Sequence, residues 1–253
     1  MKIKRLILSL LLVVLSGSIY AQTKVIAHRG FWKTDGSAQN SLASLSKADS
    51  IGCFGSEFDI WITKDGQVMV NHDASYKGVK LETVDYNELK NLKLANGECL
   101  PTLKSYLKKA QKLKVHLILE VKTHNDINRQ NAAIDATLKL VKKYKLTDRI
   151  TYIAFSIDAV KELIAKVPQN TEVYYLNGDL SPKDLKAIGC SGPDYEKGVF
   201  RNHPEWINEC HALGMKANVW TVNDADNMKY FINMGVDYIT TNEPTLLQAL
   251  VSK

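Results

Sequence analysis

Val25-Ile26-Ala27-His28-Arg29-Gly30 and, further on, Gly55-Ser56-Glu57-Phe58-Asp59-Ile60 decide how this chain folds. Each is a short apolar or β-branched run, the signature of a buried strand, and each carries charged groups at or near its end. Glu57 and Asp59 stand two apart on the second strand, so both side chains leave the same face. Two carboxylates that close repel unless something neutralises them, and a divalent cation does so most simply. Oxygen ligands favour a hard ion, Ca²⁺ or Mg²⁺, over zinc. The plainer reading makes them the polar side of an amphipathic strand.

The same alternation continues to the end of the chain. Strand candidates are Lys24–Ala27, Gly55–Ile60, Val115–Leu119, Ile150–Ala154, Glu172–Leu176, a weak one near Gly189–Gly192, Lys216–Val219 and Tyr238–Thr240. Helical patterns lie between them, including Asn40–Ser50, Asn128–Tyr144, Ser156–Val167, Ser181–Ile188, Pro204–Leu213, Asp224–Met234 and Pro244–Val251. Eight strands alternating with helices predict an α/β fold of the (β/α)₈ TIM-barrel type. A doubly wound open sheet competes, but no glycine-rich nucleotide fingerprint follows the first strand. Residues 66–100 break the alternation, with a short strand at Gln67–Asn71 and a short helix at Val84–Lys90. They are expected to form an insertion on the second βα connection, on the face where barrel loops build active sites.

Residues 1–21 have the layout of a signal peptide: basic Lys2, Lys4 and Arg5, apolar Leu6 to Leu15, then a small-residue cleavage region ending at Ala21. The apolar run is short for a membrane span, and no cysteine follows it to carry a lipid. The expectation is an exported protein, periplasmic or secreted, beginning at Gln22 as one domain over 22–253 with no stable membrane anchor. The net charge of +6 rests on 33 Lys+Arg against 27 Asp+Glu. Removing the three basic residues of the signal leaves a surplus of three, too small for a dedicated nucleic-acid binder. Cys53, Cys99, Cys190 and Cys210 are scattered without a CxxC pair, which disfavours zinc and leaves unpaired thiols as the expectation.

Barrel enzymes work at the carboxyl ends of their strands. His28 closes the first strand and Glu57 and Asp59 the second; Glu120-Val121-Lys122 closes the third with the same two-residue spacing. Glu120 can supply a third carboxylate to one cation. Arg29 and Lys122 beside it suit a phosphate, one as a planar fork and the other as a point charge. His72, followed by Asp73, falls in the insertion. Two imidazoles near a phosphate site point to phosphodiester cleavage, one taking a proton from the nucleophile and the other giving one to the leaving alkoxide.

These motifs resemble the glycerophosphodiester phosphodiesterase family, which is similar in fold to phosphatidylinositol phospholipases C. The resemblance rests on His28-Arg29-Gly30, Ala38-Gln39-Asn40-Ser41, Glu57-Phe58-Asp59 with Thr63-Lys64-Asp65-Gly66, and His72-Asp73. It continues through Glu120-Val121-Lys122, Trp220-Thr221-Val222-Asn223 and Gly235-Val236-Asp237-Tyr238-Ile239-Thr240-Thr241-Asn242-Glu243-Pro244. It implies Glu57, Asp59 and Glu120 as ligands of one Ca²⁺ or Mg²⁺. It likewise implies His28 and His72 as the acid–base pair, and Arg29 and Lys122 as phosphate holders. The implied reaction releases an alcohol and sn-glycerol 3-phosphate from a small-molecule glycerophosphodiester, through a cyclic phosphate. One departure stands out: the family's Pro-Glu-Asn-Thr glutamate is Gln39 here and its proline Ala38. The expectation is a retuned metal affinity or substrate choice.

Trp220 is expected in the substrate pocket, with Tyr174 or Tyr175 pointing the same way and Phe31-Trp32 as an apolar rim. Ser156 reads as a helix cap. His116, His124, His203 and His211 read as surface or structural. Competing functions are a diesterase for another head group, such as a glycerophosphoinositol or a lysophospholipid, and a non-catalytic phosphate-binding barrel.

Overall fold

The computed structural model describes residues 22–252. The proposed signal peptide, residues 1–21, lies outside the described residues. Eight parallel strands close into a barrel: β1 (Lys24–Ala27), β2 (Gly55–Ile62), β6 (His116–Val121), β7 (Ile150–Ala154), β8 (Val173–Tyr175), β9 (Gly192–Glu196), β10 (Asn218–Trp220) and β11 (Tyr238–Thr241). Closure comes from β1 pairing with both β11 and β2. The helices packed outside are α1 (Leu42–Ser50), α3 (Leu103–Ala110), α4 (Ile127–Lys143), α5 (Ile157–Lys166), α6 (Pro182–Ala187), α7 (Lys197–Asn202), α8 (Trp206–Ala212), α9 (Ala225–Asn233) and α10 (Pro244–Val251). This is the (β/α)₈ barrel that the alternation predicts.

The strands are buried on both faces, which is why they read as near-continuous apolar runs. Outward residues such as Phe58, Ile60, Leu117, Leu119, Tyr195 and Val219 pack against the helices. Inward residues fill the lumen in layers of four drawn from alternate strands. The registers place Ile26, Ile118, Tyr174 and Asn218 in one layer, on β1, β6, β8 and β10. Above it lie Glu57, Ile153, Asp194 and Thr240 on β2, β7, β9 and β11, then His28, Glu120, Leu176 and Trp220. All eight residues of β2 are buried, so Glu57 and Asp59 face the lumen rather than forming a solvated strand face.

Between β2 and α3 the chain makes its excursion. β3 (Val68–Val70) runs antiparallel to the end of β2, and β4 (Ser75–Tyr76) and β5 (Val79–Lys80) form a hairpin. A one-turn helix, α2 (Tyr86–Leu89), follows. This segment has a small core of its own from Trp61, Met69, Leu81, Leu89, Leu94 and Leu100. That core anchors the loop carrying His72 over the barrel mouth, and the Trp61 indole N–H donates to the His72 carbonyl at 3.1 Å.

Two element readings need correction. The sixth strand lies at Gly192–Glu196, not near Gly189–Gly192. Its inward side is Gly192, Asp194 and Glu196, so it lacks the apolar alternation that marks a strand. The segment read as one helix from Pro204 begins only at Trp206, and a separate helix, α7, precedes it. α3, missing from the helices named in the sequence, buries Leu103, Tyr106, Leu107 and Ala110 at helical spacing.

Candidate active site

The residues singled out in the sequence converge on the carboxyl end of the barrel. His28, Arg29, Glu57, His72, Glu120, Lys122 and Trp220 line one cavity of about 210 Å³, together with Ile153, Phe155, Leu176, Asp194, Thr221 and Thr240. Asp59 lies beside it, held by Asn40, whose side-chain amide donates to Asp59 Oδ2 at 2.9 Å.

Glu57, Asp59 and Glu120 each offer an oxygen within 4.8 Å of the others, and all three are buried. Burial first, then the charges of Asp59 and Glu120, hold Glu57 well above the usual carboxylate range. Burial and Asp59 push Glu120 up to about 8. Asp59 goes the other way: burial opposes its ionisation, but Lys122 and then His72 pull it below its ordinary value. Lys122 reaches Glu120 Oε1 at 2.8 Å and Asp59 Oδ1 at 3.4 Å. One lysine therefore pairs with two of the three buried carboxyls, and Glu57 Oε1 is left without a hydrogen-bond partner. An all-oxygen set with an orphaned, inward-facing carboxylate atom fits a hard divalent cation.

Arg29 sits at a positive φ of 57°, a left-handed conformation that turns its backbone N–H onto Glu57 Oε2 at 2.7 Å. Its guanidinium donates from Nη1 to Gln39 Oε1 at 2.6 Å, and its Nε is buried without a partner. Gln39 therefore acts on the arginine rather than on the acidic cluster. Being neutral, it positions the guanidinium without cancelling its charge, leaving free donors for an anion.

His28 has a defined tautomer. The indole N–H of Trp32 can only donate, and it reaches Asn242 Oδ1 at 3.1 Å. That oxygen is thus an acceptor, and His28 Nδ1, 2.9 Å away, must carry the proton. The lone pair of His28 Nε2 then faces the cavity, 4.0 Å from Glu57 Oε2. Burial, then the neighbouring Arg29 charge, lowers the His28 pKa to about 4, so the ring is neutral at pH 7. His72 bonds Asp73 Oδ1 through Nδ1 at 2.7 Å, which leaves its Nε2 free.

Trp220 closes β10 and lines the cavity; its indole N–H donates to the Asp194 carbonyl at 2.9 Å. The tyrosine reading is corrected: Tyr175 packs outward among the helices, and Tyr174 lies a layer below the cavity, where Leu176 takes the expected place. Trp32 orients Asn242 and also lines the depression beside Arg29 and His72, while Phe31 packs against the barrel core. Ser156 caps α5, accepting from Ala159 N–H. His124 is buried against Trp61 and bonds the Lys122 carbonyl at 2.7 Å. The four cysteines are free thiols. Sequence reasoning passed over Asn242 and Asp194. Asn242 stood inside a quoted motif without a role, and Asp194 was hidden by the misplaced sixth strand.

The glycerophosphoryl diester phosphodiesterase family model matches residues 28–246. The chain belongs to this family. A crystal structure of a glycerophosphodiester phosphodiesterase from Parabacteroides distasonis is 49% identical, with 91% of this chain and 97% of that one covered and a TM-score of 0.90. A glycerophosphodiester phosphodiesterase of Caldanaerobacter subterraneus is 27% identical over 92% of this chain and 99% of its own. An Oleispira antarctica phosphodiesterase, solved in complex with the product sn-glycerol-3-phosphate, shares the fold at a TM-score of 0.80 and 23% identity, covering 92% of this chain and 98% of its own.

Proposed function

We propose that this family member hydrolyses small glycerophosphodiesters to an alcohol and sn-glycerol 3-phosphate, with a divalent cation, Ca²⁺ or Mg²⁺, as cofactor. One observation carries the reading. An acidic cation cradle, a guanidinium with an unpartnered buried donor, a lysine and two imidazoles share one barrel mouth. The Oleispira antarctica complex accords with the proposed product.

Glu57, Asp59 and Glu120 would hold the cation, which when bound offsets charge on the phosphoryl oxygens. Arg29 and Lys122 orient the phosphate. His28, neutral and presenting its Nε2 lone pair, takes the proton from the glycerol hydroxyl that neighbours the phosphate. His72, steadied through Nδ1 by Asp73, delivers a proton from Nε2 to the departing alcohol oxygen. The bond from that hydroxyl to phosphorus forms as the one to the alcohol breaks, giving a cyclic phosphate. With the roles of the imidazoles reversed, water then opens the ring.

The cavity and its surroundings also bear on the substrate. The cavity opens at the barrel mouth and adjoins, through Arg29 and His72, a second depression of about 480 Å³ lined by Trp32, Gln39, Asn71 and Tyr76. Among the described residues, Ile127 and Leu246 are the large apolar side chains left exposed, and no helix is long and apolar enough to cross a membrane. A soluble, deacylated diester is therefore favoured over a lysophospholipid, and export by residues 1–21 would place the enzyme in the periplasm or outside the cell.

The test is release of glycerol 3-phosphate from glycerophosphocholine, glycerophosphoethanolamine and glycerophosphoinositol with Ca²⁺, with Mg²⁺ and with EDTA. Cation-dependent turnover, reduced at least about 100-fold in His28→Ala, is expected. Turnover that persists in EDTA would remove the cation from the reading. No turnover on any of the three would remove the reaction. Mass spectrometry of the exported chain, expected to start at Gln22 or its cyclised pyroglutamate form, checks the localisation.

A further inference from the structure

The lumen layer directly beneath the two histidines contains a carboxyl group that the chemistry above does not use. Asp194, on β9, is 2% exposed, and its Oδ1 has no hydrogen-bond partner. It shares its layer with Glu57, Ile153 and Thr240, and all four line the cavity. β2 and β9 are the second and sixth of eight barrel strands, so Asp194 lies across the lumen from Glu57 and the acidic cluster. On the β7 and β8 side the wall between them is apolar, with Ile153, Phe155 and Leu176, while the other side carries Trp220, Thr221 and Thr240. Trp220 is tied to the same strand position by its hydrogen bond to the Asp194 carbonyl.

A buried acceptor without a partner is costly, so such atoms in a native site call for an occupant. A ligand whose phosphate sits by Arg29 and Lys122 shares the cavity with Asp194. For a glycerol phosphate, the group at the far end is the terminal hydroxyl, a donor that Oδ1 lacks. The methylene edges of the glycerol would lie against the apolar wall.

We propose that Asp194 is a specificity-determining residue, whose free Oδ1 accepts a hydrogen bond from the terminal glycerol hydroxyl, the one not involved in the phosphoryl chemistry. It thereby selects the glycerol end of the diester while leaving the alcohol end unconstrained. Burial pushes the Asp194 carboxyl up to about 7, with Asn218 pulling it back down, so the charge it holds near neutrality is modest. Its uncommitted oxygen accepts a hydroxyl in either protonation state.

The inference rests on the proposed diesterase activity, and a substrate pair separates the two. Glycerophosphocholine is compared with the phosphocholine diester of propane-1,2-diol, which keeps the hydroxyl next to the phosphate and lacks only the terminal one. The wild-type enzyme is expected to prefer the glycerol diester by about 10- to 100-fold in kcat/KM, the range of a hydrogen bond to a buried acidic group. Asp194→Ala is expected to bring that ratio close to one, chiefly by losing rate on the glycerol diester, and Asp194→Asn, which keeps an acceptor oxygen, to retain most of it. Equal rates of the wild-type enzyme on the two diesters overturn the role of Asp194 and leave the diesterase reading standing, whether or not the variants fold. Equal loss on both substrates in Asp194→Ala also overturns it, because a merely structural carboxyl would act that way. Failure to cleave either diester overturns the activity itself and this inference with it.

Discussion

At the level of single residues, the role proposed for His28 depends on a neighbour with no reactive chemistry. Asn242 accepts from both Trp32 and His28, and that double acceptance sets which imidazole nitrogen carries the proton. Replacing Asn242 with Leu frees the ring to rotate and to take the other tautomer. The expected result is a fall in kcat of about 10- to 100-fold with little change in KM, a share of the 10²–10⁴ that a positioned acid–base group contributes. Steady-state kinetics on glycerophosphocholine would check it, and wild-type kcat in Asn242→Leu would show that the contact is idle. Gln39 is the second residue of this kind, since it holds the Arg29 guanidinium.

Among the elements, β9 shows why a strand can be invisible in sequence yet exacting in structure. It starts at Gly192, where a Cβ would lie 1.9 Å from the Lys216 carbonyl oxygen. Only glycine lets the chain pass the loop before β10 closely enough for Asp194 to pair with Asn218 and Tyr195 with Val219. Gly192→Ala must push backbone against backbone, and a loss of about 3 kcal/mol is expected, at the upper end for overpacking. Urea unfolding would measure it; a change under about 1 kcal/mol would mean that the strand moves freely. The strand was misplaced in the sequence because the lumen asks β9 for polar residues, and polar residues next to glycine and proline look like a loop. β2 was legible despite its acids because Phe58, Ile60 and Ile62 alternate with them toward the helices.

For the whole molecule, the acidic cluster ties stability to pH and, through the proposed site, to a cation. Glu120 has its folded pKa raised to about 8, and Glu57 is raised too. A raised folded pKa means the contribution is complete below the unfolded value, about 4.5, and is lost as pH climbs toward 8. His28 has the opposite sign: with a folded pKa of about 4, its contribution holds above about 6.5 and is lost as pH falls through 4. The cation-free protein should therefore lose stability from the cluster between about pH 5 and 8. Binding a cation requires ionised carboxylates, so its stabilisation should grow over the same interval. At a cation concentration about 100 times Kd, the gain is about 2.7 kcal/mol, or roughly 5–10 °C in Tm for a chain of this size. Thermal melts in EDTA and in saturating Ca²⁺ or Mg²⁺ at pH 5, 6, 7 and 8 would show it. A Tm increment that is flat with pH would mean that the cation does not bind these carboxyls.

The sequence alone determined the barrel class, because buried parallel strands demand apolar β-branched runs at regular intervals and such runs are visible without a structure. It also singled out the two histidines, three carboxylates, Arg29, Lys122 and Trp220, since most stand at or next to strand ends and two-residue spacing puts Glu57 and Asp59 on one face of β2. What only the tertiary structure decided are relations across the lumen and between distant loops. These are the Trp32–Asn242–His28 chain, the hold of Gln39 on Arg29, and the placing of Asp194 opposite Glu57. Closure of the sheet brings together residues that no local period connects, and register around the barrel, not spacing along the chain, sets which of them share a layer.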